Sequence, residues 1–228
     1  MHSHTILLEE SSLELVPKKF WAHQSCRLVE SRFGIPPEKQ ILDDNFHHPI
    51  IQELPHGEKR GRPDIVHYAL LDIMSTPAYQ MKFIRPIIHT INKDVIFIKD
   101  GVRPPRTELR FNGVMSKVLR NEIGPAEKEL FENAGVIETQ DLIKSLEAET
   151  VICLSTEGIL KNLRNYLSSS KSEGNSSTHL WLVGGFAKGH FEENVKRLAN
   201  ELISISDRSL AAHVVTARVS YEIELSMI

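Results

Sequence analysis

Two short runs, Thr150-Val-Ile-Cys-Leu154 and His179-Leu-Trp-Leu-Val183, constrain the fold more than any other feature of this chain. Each is apolar along its length instead of alternating, the pattern of a strand covered on both faces. Segments with helical apolar spacing separate and follow them, predicted over Ile159–Leu167, Glu192–Leu202 and Leu210–Leu225. Short apolar strands interleaved with helices specify an α/β fold on a parallel sheet. Between these elements, Ser155–Gly158 reads as a turn and Ser204–Ser209 as a loop. Ser168–Thr178, with Gly174 and six serines, reads as a flexible surface loop.

The N-terminal half follows the same grammar. Thr5–Glu9 is a first strand. Lys18–Arg32 is predicted helical, with Phe20, Trp21 and Leu28 as candidate core residues, and stops at Gly34 and Pro36-Pro37. Ile41-Leu42 begins a second strand, and His47–Gly57, holding Pro49 and Pro55, is a connector. Pro63 occupies the first turn of a helix running to about Ser75, with Ile65, Val66, Ala69, Leu70 and Ile73 as its apolar stripe. Phe83–Thr90 and Val95–Ile98 form a hairpin through Asn92-Lys93-Asp94. Another helix starts near Thr107 and runs to about Asn121.

The 228 residues carry a formal net charge of -3, which argues against a protein coated in basic charge. A nucleic-acid partner would have to be held by local patches. Cys26 and Cys153 are far apart and form no CxxC pair, so neither a disulfide framework nor a zinc knuckle is expected. The eleven histidines include no HExxH pattern, and no metal is expected. No apolar run is long enough to cross a bilayer, and the N-terminus lacks the pattern of a signal peptide. A cytoplasmic protein without a membrane partner is expected.

Chemistry concentrates in three places. In Arg103-Pro-Pro-Arg106-Thr-Glu-Leu-Arg110 the arginines sit at spacings of three and four, beside a predicted helix entrance. Such spacings put side chains on one helical face. Guanidinium groups bind phosphate oxygens in bidentate fashion, and helix entrances favour anions. The competing reading is a solvated, salt-bridged helix face. Second, Arg62 and Asp64 flank Pro63 at another helix start, as a functional pair or as a structural ion pair. Third, Gly184, Gly185 and Gly189 follow the 179–183 strand, where ligands sit in parallel α/β sheets. The run matches neither GxGxxG nor GxxxxGK[ST], so a plain strand–helix turn and a cofactor loop both remain open. Ser155–Gly158 and Asp207–Ala212 are two further loops that would converge on the same crevice.

Taken together, four ordered motifs resemble the Nep/Emg family of ribosome-biogenesis proteins: Gly61-Arg-Pro-Asp-Ile-Val-His67, Val102-Arg-Pro-Pro-Arg-Thr-Glu-Leu-Arg-Phe111, Val183-Gly-Gly-Phe-Ala-Lys-Gly189 and Ser209-Leu-Ala-Ala212. The family comprises SPOUT-class methyltransferases acting on N1 of pseudouridine in small-subunit rRNA, and this chain, without an extended basic tail, is similar to its archaeal type. The resemblance implies a single domain over 1–228 with a parallel sheet, a C-terminal trefoil knot, and a β-hairpin and helix insertion over roughly 45–100. It implies a homodimer, S-adenosylmethionine as cofactor, small-subunit rRNA as substrate, and a ribosomal protein as a further candidate partner. By motif, cofactor contacts fall on Ser155, Thr156, Gly184, Gly189 and the run Asp207, Arg208, Ser209, Leu210, Ala211, Ala212. RNA contacts fall on Arg62, Arg103, Arg106 and Arg110, with Arg62 and Asp64 as the catalytic pair. Asp207-Arg208-Ser209 lacks the aromatic–proline pair of some members, which weakens side-chain roles there. A carboxylate paired with a guanidinium is a poorer proton acceptor, which favours Asp64 as the residue that orients Arg62 over a general base. A SPOUT enzyme for another RNA nucleotide and a non-catalytic rRNA-binding assembly factor are the competing functions.

Overall fold

A computed structural model describes residues 2–128, 130–171 and 178–227. Seven strands form one sheet in the order β4-β3-β2-β1-β6-β5-β7. They are β1 (His4–Ser11), β2 (Ile84–Thr90), β3 (Asp94–Ile98), β4 (Phe131–Val136), β5 (Thr150–Leu160), β6 (His179–Gly184) and β7 (Glu201–Ser204). From β2 to β7 every pairing is parallel, while β3 and β4 extend the sheet antiparallel from β2. The fold class is therefore as expected, with β2 and β3 forming the predicted hairpin in which Ile88 faces Ile96.

The non-alternating strands are buried on both faces, as their composition requires. Ile6, Leu8, Ile88, Ile152, Trp181 and Val183 share one core, under α3 (Pro63–Met74), α5 (Glu108–Leu119), α8 (Leu163–Lys171) and α10 (Ala212–Met227). Leu7, Ile87, Val151, Cys153, Leu180 and Leu182 share the other, with Leu142 of α7 (Thr139–Ser145) and Val195 of α9 (Glu193–Leu198). Both cysteines are buried free thiols. Short helices α4 (Pro77–Gln80) and α6 (Pro125–Lys128) complete the layers.

Several boundaries differ from the sequence reading. The 18–32 helix is a 3-10 turn at Lys18–Phe20 followed by α1 (Gln24–Phe33), whose first turn the His23 ring caps through Ser25 N–H at 3.1 Å. Leu28 is exposed, not core; Phe20 is buried. Ile41 makes only an isolated bridge to Leu15, because Asp43 at once caps α2 (Asp44–Gln52), where a connector was expected. Helix α2 accommodates Pro49 by kinking at His47. Thr107 takes the N-cap position of α5 without a side-chain cap hydrogen bond. Strand β5 runs on through the expected turn: its pairing with β7 breaks after Leu154 and resumes at Ile159, and helix α8 starts only at Leu163. Gly158 makes this possible, since a Cβ there would lie 2.5–2.6 Å from the Ile203 backbone. Of the expected 168–178 loop, residues 168–171 belong to α8, and residues 172–177 lie outside the described residues. Strands β4 and β7 and helix α7 escaped the sequence reading; β7 takes the tail of the predicted 192–202 helix.

His47 links α2 to the preceding loop. Its Nδ1 accepts from Asp43 N–H at 3.1 Å, so that nitrogen carries no proton, and its Nε2–H donates to Gln40 Oε1 at 3.0 Å. Burial lowers its pKa from 6.5 to about 4. Between those values the unfolded chain binds a proton that the folded one does not, so stability is lost as pH falls from 6.5 through 4. Across that window the wild type should lose about 3 kcal/mol more than His47→Gln. Urea unfolding of both proteins at stepped pH measures the difference.

Candidate active site

At the carboxyl end of the parallel strands lies a cavity of about 360 Å³. Strand β5 contributes Leu154, Ser155 and Thr156 to its wall. The segment after β6 contributes Gly184, Phe186, Ala187 and Gly189. The segment after β7 contributes Ser206, Arg208, Ser209, Leu210 and Ala211, and α10 adds Ala212 and His213. The three expected loops do converge, although Ser155 and Thr156 sit in an irregular strand and not a turn. Asp207 is exposed and is not among the cavity-lining residues.

The start of α3 lines the same cavity with Arg62, Asp64, Ile65 and Tyr68. Arg62 Nε and Nη2 donate to the two Asp64 oxygens at 2.8 and 2.7 Å. This bidentate bond, helped by the charges of Asp64, Asp44 and Asp43, holds the guanidinium above its usual pKa against partial burial. Asp43 and Glu108 surround the pair, and burial and neighbouring carboxylates push both carboxyls above their usual range. The backbone is fixed as well. Arg62 N–H donates to Ser12 Oγ at 2.7 Å, and Gly61, at φ +71°, accepts from Asp44 N–H at 2.8 Å. A Cβ on Gly61 would lie 2.2 Å from Ile51 Cδ1, so the turn before Arg62 requires glycine for conformation and for space.

Below the cavity, the end of β1 supplies a buried polar run that the sequence reading missed. Lys59 Nζ donates to Glu10 Oε2 at 2.5 Å, and Glu10 Oε1 accepts from Glu192 N–H at 2.8 Å. Lys59 Nζ also lies 4.8 Å from the Phe186 ring centroid. Burial raises the Glu10 carboxyl above its ordinary value, with the ammonium and the Glu192 amide opposing. Arg60 Nη1 donates to the buried Glu14 at 2.5 Å. Glu9 accepts from Thr139 Oγ1 at 3.0 Å and pairs with His89 at 2.7 Å, while the other His89 nitrogen donates to Ile137 O. Burial pulls the His89 pKa down, but Glu9 and the carbonyl outweigh it and the value is raised. Gly185 belongs to this frame and not to the ligand side: its N–H donates to Glu9 O, its carbonyl accepts from Ser12 N–H, and a Cβ would meet Ser11 Oγ at 2.3 Å. The available signal was an acidic run, Glu9-Glu10, directly after an apolar strand, at the sheet end where parallel folds build sites.

Arg103, Arg106 and Arg110 line a second groove with Thr107, Gly113 and Lys117, sharing no residue with the first cavity. The arginine loop is nevertheless tied to α3: His67 Nε2 donates to Pro105 O at 2.6 Å, and its ring stacks on Phe111, 4.6 Å between centroids. Among the described residues no cluster of His, Cys, Asp or Glu is placed to hold a metal, and no helix is long and apolar enough to cross a membrane.

The EMG1/NEP1 methyltransferase model matches residues 6–224 of the sequence. The chain belongs to the EMG1/NEP1 methyltransferase family. Among similar proteins, the ribosomal RNA small subunit methyltransferase Nep1 of Methanothrix thermoacetophila is 33% identical over 220 residues, covering 96% of this chain and 95% of that protein. Its counterpart in Thermococcus kodakarensis is 32% identical over 225 residues, covering 97% and 98%. The crystal structure of Archaeoglobus fulgidus Nep1 bound to S-adenosylhomocysteine matches with a TM-score of 0.83 at 30% identity, covering 100% of this chain and 99% of that one. The EMG1/NEP1 assignment and this match bear out the fold class expected from the motifs.

Within this EMG1/NEP1 chain the Lys59–Glu10 pair joins the Arg62 segment to the Gly184–Glu192 segment. Removing one partner of a buried pair leaves the other without compensation. Lys59→Met should lose about 3 kcal/mol of unfolding free energy. Adding Glu10→Gln should restore part of it, since the amide can still accept from Glu192 N–H. Denaturant unfolding of the single and double variants measures both effects.

Proposed function

We propose that this protein transfers the methyl group of S-adenosylmethionine to N1 of a pseudouridine in small-subunit ribosomal RNA. The observation that carries the reading is one cavity lined both by the strand-end segments and by the Arg62–Asp64 pair. The comparisons support it through relatives named as ribosomal RNA small subunit methyltransferases and a structural match bound to S-adenosylhomocysteine.

The cavity fits such a cofactor. Its volume falls within the range of small-molecule sites. Gly184 and Gly189 allow close backbone approach, and a Cβ on Gly184 would press the Phe186 ring at 2.8 Å. Ser155, Thr156, Gly184, Gly189 and the run Arg208–Ala212 would hold the cofactor, whose sulfonium supplies an electrophilic methyl carbon. Asp207 has no side-chain part in this proposal.

Methyl transfer requires the nucleophilic nitrogen in line with the methyl carbon; the N1 proton passes to solvent water, which leaves negative charge on the pyrimidine until the new N–C bond forms. Alignment supplies much of the rate. Arg62, pre-oriented by two hydrogen bonds to Asp64, is placed to stabilise that charge. Both Asp64 oxygens are engaged by Arg62, which supports its role as the orienting residue. Arg103, Arg106 and Arg110 would grip RNA phosphates from the neighbouring groove, and the His67–Pro105 bond fixes that loop against α3. The C-terminal knot and a homodimer belong to the same proposal. The contact of Gly158 with the Ile203 backbone supports close threading there, and exposed Ile159, Leu160 and Tyr221 offer apolar surface to a second copy.

Nucleoside mass spectrometry of a pseudouridine stem-loop incubated with protein and labelled cofactor tests the reading. N1-methylpseudouridine is expected, and its absence from a folded, cofactor-binding preparation would overturn it. Asp64→Asn should weaken both RNA binding and single-turnover transfer; normal binding with abolished transfer would make Asp64 the base. Arg103→Ala, Arg106→Ala and Arg110→Ala should each weaken RNA binding and lower its salt slope by up to about one phosphate contact, leaving cofactor affinity unchanged. Filter binding across a salt series checks this.

A further inference from the structure

We propose that Tyr68 is the platform on which the target pyrimidine stacks once it has left the RNA helix. The inference rests on the methyl-transfer reading and assigns a residue that the motifs did not include. Tyr68 lies four residues after Asp64 on α3, so both side chains lie on one helical face. That face lines the cavity together with the strand-end segments. Its neighbours Val66, His67, Ala69 and Leu70 are buried, whereas Tyr68 is 45% exposed. The chain thus keeps an aromatic residue both exposed to solvent and on the lining of a cavity.

The ring is held in place by its neighbours. His67 lies beside it at 5.9 Å and 26°, and His213 of α10 meets it edge-on at 6.2 Å and 76°. Its hydroxyl makes no hydrogen bond among the described residues, so the phenol tip anchors nothing in the fold. A pre-oriented aromatic face next to an oriented guanidinium suits an unpaired pyrimidine: the ring takes the π-face, and Arg62 meets the polar edge. Enzymes that modify a base within structured RNA must take it out of the stack, and an aromatic side chain in the site then takes the place of the neighbouring bases.

The test uses the full-length protein and two RNA stem-loops that differ only at the target position, one carrying pseudouridine and one an abasic site. Tyr68→Ala and Tyr68→Leu should each weaken binding of the pseudouridine RNA by about tenfold. Both should bind the abasic RNA as the wild type does, and Tyr68→Phe should match the wild type on both RNAs. Affinity for S-adenosylhomocysteine, by calorimetry, should stay unchanged in every variant. Equal losses on the two RNAs, no loss on either, or a parallel loss of S-adenosylhomocysteine affinity would each overturn the inference. A wild type that methylates the RNA while Tyr68→Ala shows any of these results sinks the stacking role alone. A wild type that produces no methylated nucleoside sinks the functional reading instead.

Discussion

The cavity depends on how the carboxyl end of β1 is held. This strand is central, parallel to β2 on one side and β6 on the other, and its residues are buried from His4 to Ser11. Where the apolar run stops, the chain places Glu9, Glu10, Ser11, Ser12 and Glu14 in the interior. Buried carboxylates are costly unless paired. Each of these is paired: Glu9 with His89, Glu10 with Lys59, Glu14 with Arg60. Because Lys59 and Arg60 immediately precede Gly61 and Arg62, satisfying the buried acids also delivers Arg62 to the cavity. Glu10 and Gly185 fix the segment after β6 by the same device. Glu10 has φ +50°, an uncommon backbone state for a residue with a side chain, and the pairings around it hold it there.

The two anion-seeking features are electrostatically distinct. Arg62 is half-covered, doubly bonded to Asp64 and surrounded by the negative field of Asp43, Asp44 and Asp64. Such a guanidinium is set in one orientation and suits a single reacting group. Arg103, Arg106 and Arg110 are exposed on a groove of their own, free to meet the spaced charges of a phosphate backbone. The His67–Pro105 hydrogen bond couples these regions mechanically, because the helix that carries Arg62 and Asp64 also anchors the arginine loop.

Much of the fold could be read from composition and spacing. Runs of four consecutive apolar residues, Val151–Leu154 and Leu180–Val183, between helical segments point to a doubly covered sheet, since apolar side chains then project from both faces of the strand. The β2–β3 hairpin, the α3 stripe and the convergence of Ser155–Thr156 with the segments after β6 and before α10 followed from the same logic. Less legible was the region from Ile41 to Gly57, where Pro49 suggested a connector. A kink at His47, two residues before Pro49 inside α2, removes the conflict, and Asp43 and Gln40 hold the His47 ring there.

Sequence alone determined the residue types of the site: guanidinium groups at helix starts, glycines at a strand end, and the order of the motifs that mark the family. Local spacing carries that information, because helix faces and turn conformations are set within a few residues. Only the tertiary structure decided that Gly185 serves the β1 frame while Gly184 faces the cavity. It also separated Arg62 from the arginine fork and put Tyr68 on the cavity wall. Those assignments rest on contacts between residues as distant as Ser11 and Gly185 or His67 and Pro105. No local periodicity encodes such a contact. It exists only once the sheet has brought strands from both ends of the chain side by side.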